Sequence, residues 1–283
     1  MAHAWLRHLL ETRLGPAGRA ILAWRTRAQA ERLLVWRGLA GPSALIAERL
    51  GDRVSRGPFA GLVYPRRRGD IVHAAKLLGA YECELHAPLE RLLARAPARV
   101  LNIGSGDGYY VVGIARRLPA AEIVAVDPDP LAQRACAATA QRNAVASRLT
   151  SAPRIGADSL EAALHAPAGG AAAVDGGAPP HTLCLVDCEG CEDDLLDPVR
   201  APALAGTDIL VETHDFARAG VTERLASRFA ATQDVERIAI AVRDIATYHE
   251  LTTLPRDIAA GLLDEFRHLP QAWLLLTARV RHT

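Results

Sequence analysis

ARVLNIGSGDGYYVVGIARRLPAAEIVAVDPDP, residues 98–130, is the stretch on which the reading of this chain turns. Its first apolar run, RVLNIG, has the length and branched-residue content of a buried strand. Gly104, Gly106 and Gly108 then fall in the turn before a helix placed around 109–118. Glycines there let the backbone approach a ligand closely and take torsions that a Cβ disfavours. The next apolar run, EIVAVD, ends in Asp127, where a carboxylate can accept hydrogen bonds from both hydroxyls of a ribose. Glycine turn and second-strand acid together point to an adenosine-containing cofactor. The G-x-G-x-G spacing differs from the G-x-G-x-x-G of dinucleotide sites and suits a cofactor with no pyrophosphate.

Outward from this unit the same alternation continues. TLCLVD, DILVETHD, VERIAIAV and AWLLLTARV read as further strands, with helical stretches around 129–145, 158–165, 190–197, 219–230 and 256–267. The pattern predicts an α/β fold: a mostly parallel sheet with helices on both faces. Ligands in such sheets bind outside the carboxyl ends of the strands. Residues 1–56 read as an N-terminal basic helical extension, broken near Gly15-Pro16 and Gly41-Pro42, and residues 57–283 as the catalytic domain. Residues 57–73 look like a loop, a helix is expected from Ala74 to Arg95, and the Ala/Gly/Pro-rich residues 166–180 read as a surface insert.

Half of the 283 residues are hydrophobic, enough for a sizeable core. No apolar run reaches the roughly 18–20 residues of a membrane span, so no transmembrane segment is expected. The N-terminus is Arg-rich and amphipathic but lacks the uninterrupted apolar stretch of a secretory signal. Five cysteines, an odd number, argue against a disulfide framework and for a reducing, cytoplasmic compartment. The net charge of +1 divides into +9 over residues 1–68 and −8 over the remainder. Trp5, Trp24 and Trp36 punctuate the basic helices. These helices could lie on an anionic membrane or nucleic acid. A helical cap with buried tryptophans is expected instead, shaping substrate specificity or building a homodimer; no nucleic-acid partner is expected. Arg66–Arg68 form an exposed basic run that could meet an anionic acceptor.

HTLCLVDCEGCEDDLLDP, residues 181–198, holds two competing chemistries. Cys184, Cys188 and Cys191 have the C-x3-C-x2-C spacing of an iron–sulfur site. A strand through Cys184 would turn that thiol into the core and stop the three sulfurs converging, and a zinc site lacks a clear fourth ligand. The carboxylates fare better. Asp187 ends the strand, Glu189 follows, and Glu212 and His214 end the next one, so the four can converge at one sheet edge. Glu192 reads as a helix-initiating acid that offsets the helix dipole.

VLNIGSGDGYY resembles the first motif of class I S-adenosylmethionine-dependent methyltransferases. VDCEGCEDDLL and ILVETHD resemble the D-x-E-G-x-E and late-acid motifs of the FkbM-type members, and KLLGAYECELHAPLE resembles the segment that precedes their first strand. The resemblance covers roughly residues 57–250 and implies a Rossmann-like, mostly parallel seven-stranded sheet and S-adenosyl-L-methionine as cofactor. It places Gly104, Gly106 and Gly108 at the methionine end, Asp127 on the ribose, Glu82 against the cofactor from the preceding helix, and Asp158 near the adenine. Asn102 stands in the cofactor motif where the general pattern has Asp, which removes a negative charge near the sulfonium. The implied activity is methyl transfer to a hydroxyl of a small-molecule acceptor, such as a sugar or secondary metabolite. Asp187, Glu189 and His214 would align or deprotonate that acceptor. No metal is assigned, although Asp187, Glu189, Glu212 and His214 could hold a divalent cation. A nicotinamide-dependent oxidoreductase and a non-catalytic S-adenosylmethionine-binding protein remain the rival readings.

Overall fold

The computed structural model describes residues 15–67, 69–165, 181–267 and 271–279, with the backbone alone for 15–25. Its centre is a seven-stranded sheet in the order β3-β2-β1-β4-β5-β7-β6. The strands are β1 Arg99–Ile103, β2 Glu122–Val126, β3 Leu149–Ala152, β4 Thr182–Val186, β5 Asp208–Thr213, β6 Gln233–Ile238 and β7 Ala272–Ala278. β1 to β5 run parallel, and β7 enters antiparallel between β5 and β6. This is the mostly parallel sheet expected from the alternation of strands and helices, and the Rossmann-like seven-stranded fold that the resemblance implied.

Alternation within each strand explains why both faces are covered. Val100, Ile123, Leu183, Leu185 and Leu210 enter one hydrophobic core. Their chain neighbours Leu101, Val124, Cys184, Val186 and Ile209 enter the other. Helix α5, Tyr109–Arg117, packs Val111 and Ile114 into the first core. Helices α7, Ala157–His165, and α9, Val221–Phe229, close the second with Leu160, Leu164, Leu225 and Phe229.

Two N-terminal helices, α1 Gly15–Trp36 and α2 Ala40–Leu50, add Leu34, Leu39 and Ile46 to the first core. The expected break at Gly41-Pro42 is displaced to residues 37–39. Pro42 sits instead in the first turn of α2, where a missing N–H forfeits no intrahelical bond. Trp36 is 82% exposed, which corrects the expectation that it is buried. Trp5, Arg68 and the insert 166–180 lie outside the described residues, as does the side chain of Trp24. No described helix is long and apolar enough to cross a membrane.

The single helix expected over 74–95 is also corrected. The chain forms α3, His73–Leu77, then a turn and a 3₁₀ segment, then α4, His86–Ala94. Gly79, with φ +62°, passes so close to Arg56 that a Cβ would lie 2.4 Å from its carbonyl oxygen. The remaining helices are α6 Pro130–Arg142, α8 Glu192–Leu195 and α10 Arg256–Leu263. The strand read in VERIAIAV ends at Ile238.

Candidate active site

The carboxyl ends of β1, β4 and β5 lie side by side, and every element of the site starts from that edge. Gly104, at φ +83°, crosses over the end of β4, and a Cβ there would stand 1.6 Å from the Asp187 carbonyl oxygen. Glycine is therefore a steric requirement at this position. Gly106 N–H donates to Asp127 Oδ2 at 2.8 Å, and Asp129 N–H donates to Oδ1 at 2.8 Å. Burial raises the Asp127 pKa, and these two backbone donors only partly oppose the rise. Gly108, at φ +96°, starts α5, and a Cβ there would meet Cys136 Sγ at 3.1 Å. A cavity of about 510 Å³ opens beside this turn, lined by Ile103, Gly104, Val126, Asp127, Ile155 and Asp187 among others. Apolar walls with Asp127 fixed by two backbone donors fit an adenosine moiety.

Of the residues assigned to the cofactor, Gly104 and Asp127 line this cavity, and Gly106, Gly108, Asn102, Asp158 and Glu82 are not among its lining residues. Asn102 is buried within β1, and its Oδ1 has no hydrogen-bond partner among the described residues. Asp158 is 88% exposed and paired with Arg200; Arg200 lines the cavity and Asp158 is not among its lining residues. Glu82 lies in a left-handed turn (φ +47°), not on a helix, and is not among the residues lining either this cavity or the neighbouring one. Its carboxylate accepts from Tyr110 and Arg267. Burial pushes the Glu82 pKa up to about 8, opposed by Arg267 and reinforced by Glu212.

Asp187, Glu189, Glu212 and His214 do come together. His214 Nε2 lies 3.7 Å from Asp187 Oδ1, Glu189 Oε2 and Glu212 Oε2 alike. Its Nδ1 is bonded to Glu192 Oε1 at 2.6 Å, which fixes the tautomer and turns Nε2 toward the three carboxylates. Glu192 is fully buried and also accepts Gly190 N–H at 2.9 Å. It is the anchor of His214 and not simply a charge at a helix start; α8 has only four residues. Burial disfavours the imidazolium, but the Glu192 hydrogen bond and the carboxylates Glu212 and Glu189 outweigh it and raise the His214 pKa. The Asp187 pKa is pushed well up by burial and by crowding from Glu212, Glu189 and Glu82. Its side chain keeps 38% exposure because it borders open cavity while sitting deep among protein atoms.

A second cavity, of about 380 Å³, lies on the far side of this cluster. Tyr81, Phe216 and Phe266 give it aromatic walls, and Glu265, Arg267 and Gln271 add polar groups. Arg267 reaches Glu82 and Glu212 and bonds Glu265 Oε2 at 2.9 Å. Asp187 and Glu189 line both cavities. They therefore stand where a group passing from one cavity to the other must cross.

The cysteines divide as their burial dictates. Cys184 is fully buried inside β4, and burial pushes its thiol up to about 12, so it acts as a small hydrophobe. Cys188 and Cys191 are joined in a disulfide, one local link and not a framework. Sequence reasoning missed Arg267, Glu265, Phe266 and the role of Glu192. The D-x-E-G-x-E spacing was the one signal that could have marked Glu192. The segment around residue 266 carries no motif.

No family model matches the sequence, and no curated protein matches it. Among solved structures, the chain is similar to the O-methyltransferase TomG from Streptomyces achromogenes in complex with SAM. The identity is 19%, with 68% of this chain and 81% of that chain covered and a TM-score of 0.41. It is similar to a putative O-methyltransferase from Klebsiella pneumoniae at 14% identity, covering 83% and 90%, with a TM-score of 0.41. It is also similar to precorrin-6y C5,15-methyltransferase from Geobacter metallireducens GS-15 at 13% identity, covering 69% and 89%, with a TM-score of 0.41. These are distant likenesses.

Proposed function

We propose that this chain is an S-adenosylmethionine-dependent methyltransferase, of the FkbM type, that methylates a hydroxyl of a small-molecule acceptor such as a sugar or secondary metabolite. The observation that carries the reading is the wall shared by the two cavities. The larger has a glycine turn and a ribose-reading acid, the smaller has aromatic sides, and Asp187 and Glu189 separate them. The bound cofactor would supply an electrophilic methyl on a sulfonium. Gly104 and Asp127 would hold its adenosine portion, while Asp187 and Glu189 would place negative charge near the sulfonium.

His214 is the base of this scheme. Its Nε2 would take the proton of the acceptor hydroxyl as that oxygen receives the methyl. Glu192 holds the Nδ1 proton throughout and offsets the imidazolium charge that results. Glu212, fixed by Arg267, orients the hydroxyl. Radioactive methyl transfer from labelled S-adenosylmethionine, screened over a hydroxylated acceptor panel, tests this activity. Nicotinamide reduction with no methyl transfer would overturn it.

One observation favours a second reading of the same cluster. Ligand atoms of Asp187, Glu212 and His214 lie within 4.8 Å of one another, and Asp187 Oδ1 is buried with no hydrogen-bond partner among the described residues. A divalent cation held there would orient a hydroxylated acceptor. Activity that survives a chelator, with no metal copurifying, sinks this second reading.

A further inference from the structure

We infer that Cys188 and Cys191 form a redox-modification site whose dithiol and disulfide states set the geometry of the cofactor wall and of His214. The inference rests on the cofactor reading of the larger cavity. Both cysteines line that cavity, and the two residues between them are Glu189 and Gly190. The bond spans Cα atoms 5.6 Å apart, within the range a disulfide bridges without backbone movement. Cys188 is half-buried and Cys191 exposed, so the bond is open to small thiols and disulfides.

The enclosed pair is what gives the bond leverage. Glu189 and Gly190 both take positive φ, +56° and +108°, an arrangement that a free four-residue loop has little reason to keep. Glu189 is the exposed acid 3.7 Å from His214 Nε2. Gly190 N–H donates to the same Glu192 Oε1 that binds His214 Nδ1. Cys191 directly precedes α8, which begins with Glu192. A covalent change at the sulfurs therefore reaches the base along one short path: the loop, Gly190, Glu192 and His214.

The step balances with a small-molecule disulfide such as oxidised glutathione as oxidant. The thiolate of exposed Cys191 attacks one of its sulfurs and expels a glutathione thiolate. The Cys188 thiolate then attacks the mixed disulfide at Cys191 and expels a second. The two electrons lost by the cysteines reside in the two glutathione thiols, which take up the two protons released. A dithiol reductant reverses the exchange.

The test uses the full-length protein held in oxidised glutathione or in dithiothreitol, with intact and peptide masses confirming the state of residues 188–191. S-Adenosylhomocysteine affinity is measured calorimetrically in each state. The His214 imidazole resonances are recorded by NMR at one fixed pH and assigned by their absence in His214→Gln. The disulfide form is expected to bind roughly threefold to tenfold more tightly, because its wall is ordered beforehand. The His214 resonances should also shift between states, and both differences should vanish in Cys188→Ser/Cys191→Ser. Equal affinities with unshifted His214 resonances, or failure of the pair to oxidise, would overturn the inference. Absence of binding in both states with His214 resonances that still shift would sink the cofactor reading and leave the redox site standing.

Discussion

Gly104→Ala should be among the most damaging single substitutions in this protein. It places a Cβ in a left-handed conformation, at a cost of roughly 1–2 kcal/mol, and drives it into the Asp187 carbonyl. Gly106→Ala takes the same kind of torsion into open space and should cost only the conformational part. Urea unfolding of the two variants measures the difference. Asp187→Asn should do the opposite, abolishing activity while stabilising the fold. A carboxyl whose pKa is raised contributes stability below its ordinary value near pH ~3.9 and loses it as pH rises through the folded value, so at neutral pH Asp187 is a burden. Solvent reaches a side chain that is 38% exposed, so the gain should be on the order of 1 kcal/mol. Glu192→Gln tests the base. The raised His214 pKa means that neutral imidazole appears only as pH climbs above roughly 6.5, so methyl transfer should rise with pH through that range. Without the carboxylate the rising limb should move to lower pH, and the maximal rate should fall on the order of tenfold. The residues of this cluster that were legible in the sequence stand at strand ends, where position along the chain fixes position in space. Glu265 and Arg267 were not, because they reach the site from an irregular segment far along the chain.

At the scale of elements, a helix of four residues is held by a cluster of charges. α8 follows directly on the disulfide loop, and its Asp193 is bonded by Arg218, Arg224 and Arg228 at 3.1, 2.9 and 2.7 Å. Burial alone would raise the Asp193 pKa, but Arg224 and Arg228 hold it below the usual carboxylate range. The clamp is therefore present above pH ~3.9 and is lost as pH falls through the lower folded value. Asp193→Ala should cost about 2 kcal/mol, less than the roughly 3–5 kcal/mol of a broken buried pair because the arginines keep contact with water. Denaturant unfolding at neutral pH would show it, as would a weakened His214 response to pH. Periodicity located β1, β2, β4, β5 and β7 because they are apolar and covered on both faces. It did not pick out β3, four half-exposed residues whose pairing with β2 comes from the sheet and not from their own pattern. Nor could it foresee the split of α3 from α4, which depends on Gly79 passing Arg56, a contact between segments distant in sequence.

For the molecule as a whole, charge and composition separated a basic N-terminal region from an acidic remainder, while packing joins them. Leu34, Leu39 and Ile46 share a core with Val100 of β1, and Arg27 reaches Asp129 at the start of α6 at 2.7 Å. Deleting residues 1–56 should therefore uncover core side chains and lower the thermal midpoint or the soluble yield. A truncated protein that unfolds at the full-length midpoint would refute a packed cap. The central claim concerns the larger cavity, and a calorimetric titration with S-adenosylmethionine, S-adenosylhomocysteine and NAD, repeated on Asp127→Ala, addresses it most directly. Micromolar binding of both sulfur cofactors, lost in the variant, is the predicted result. Binding of NAD alone, or sulfur-cofactor binding indifferent to Asp127, would contradict it.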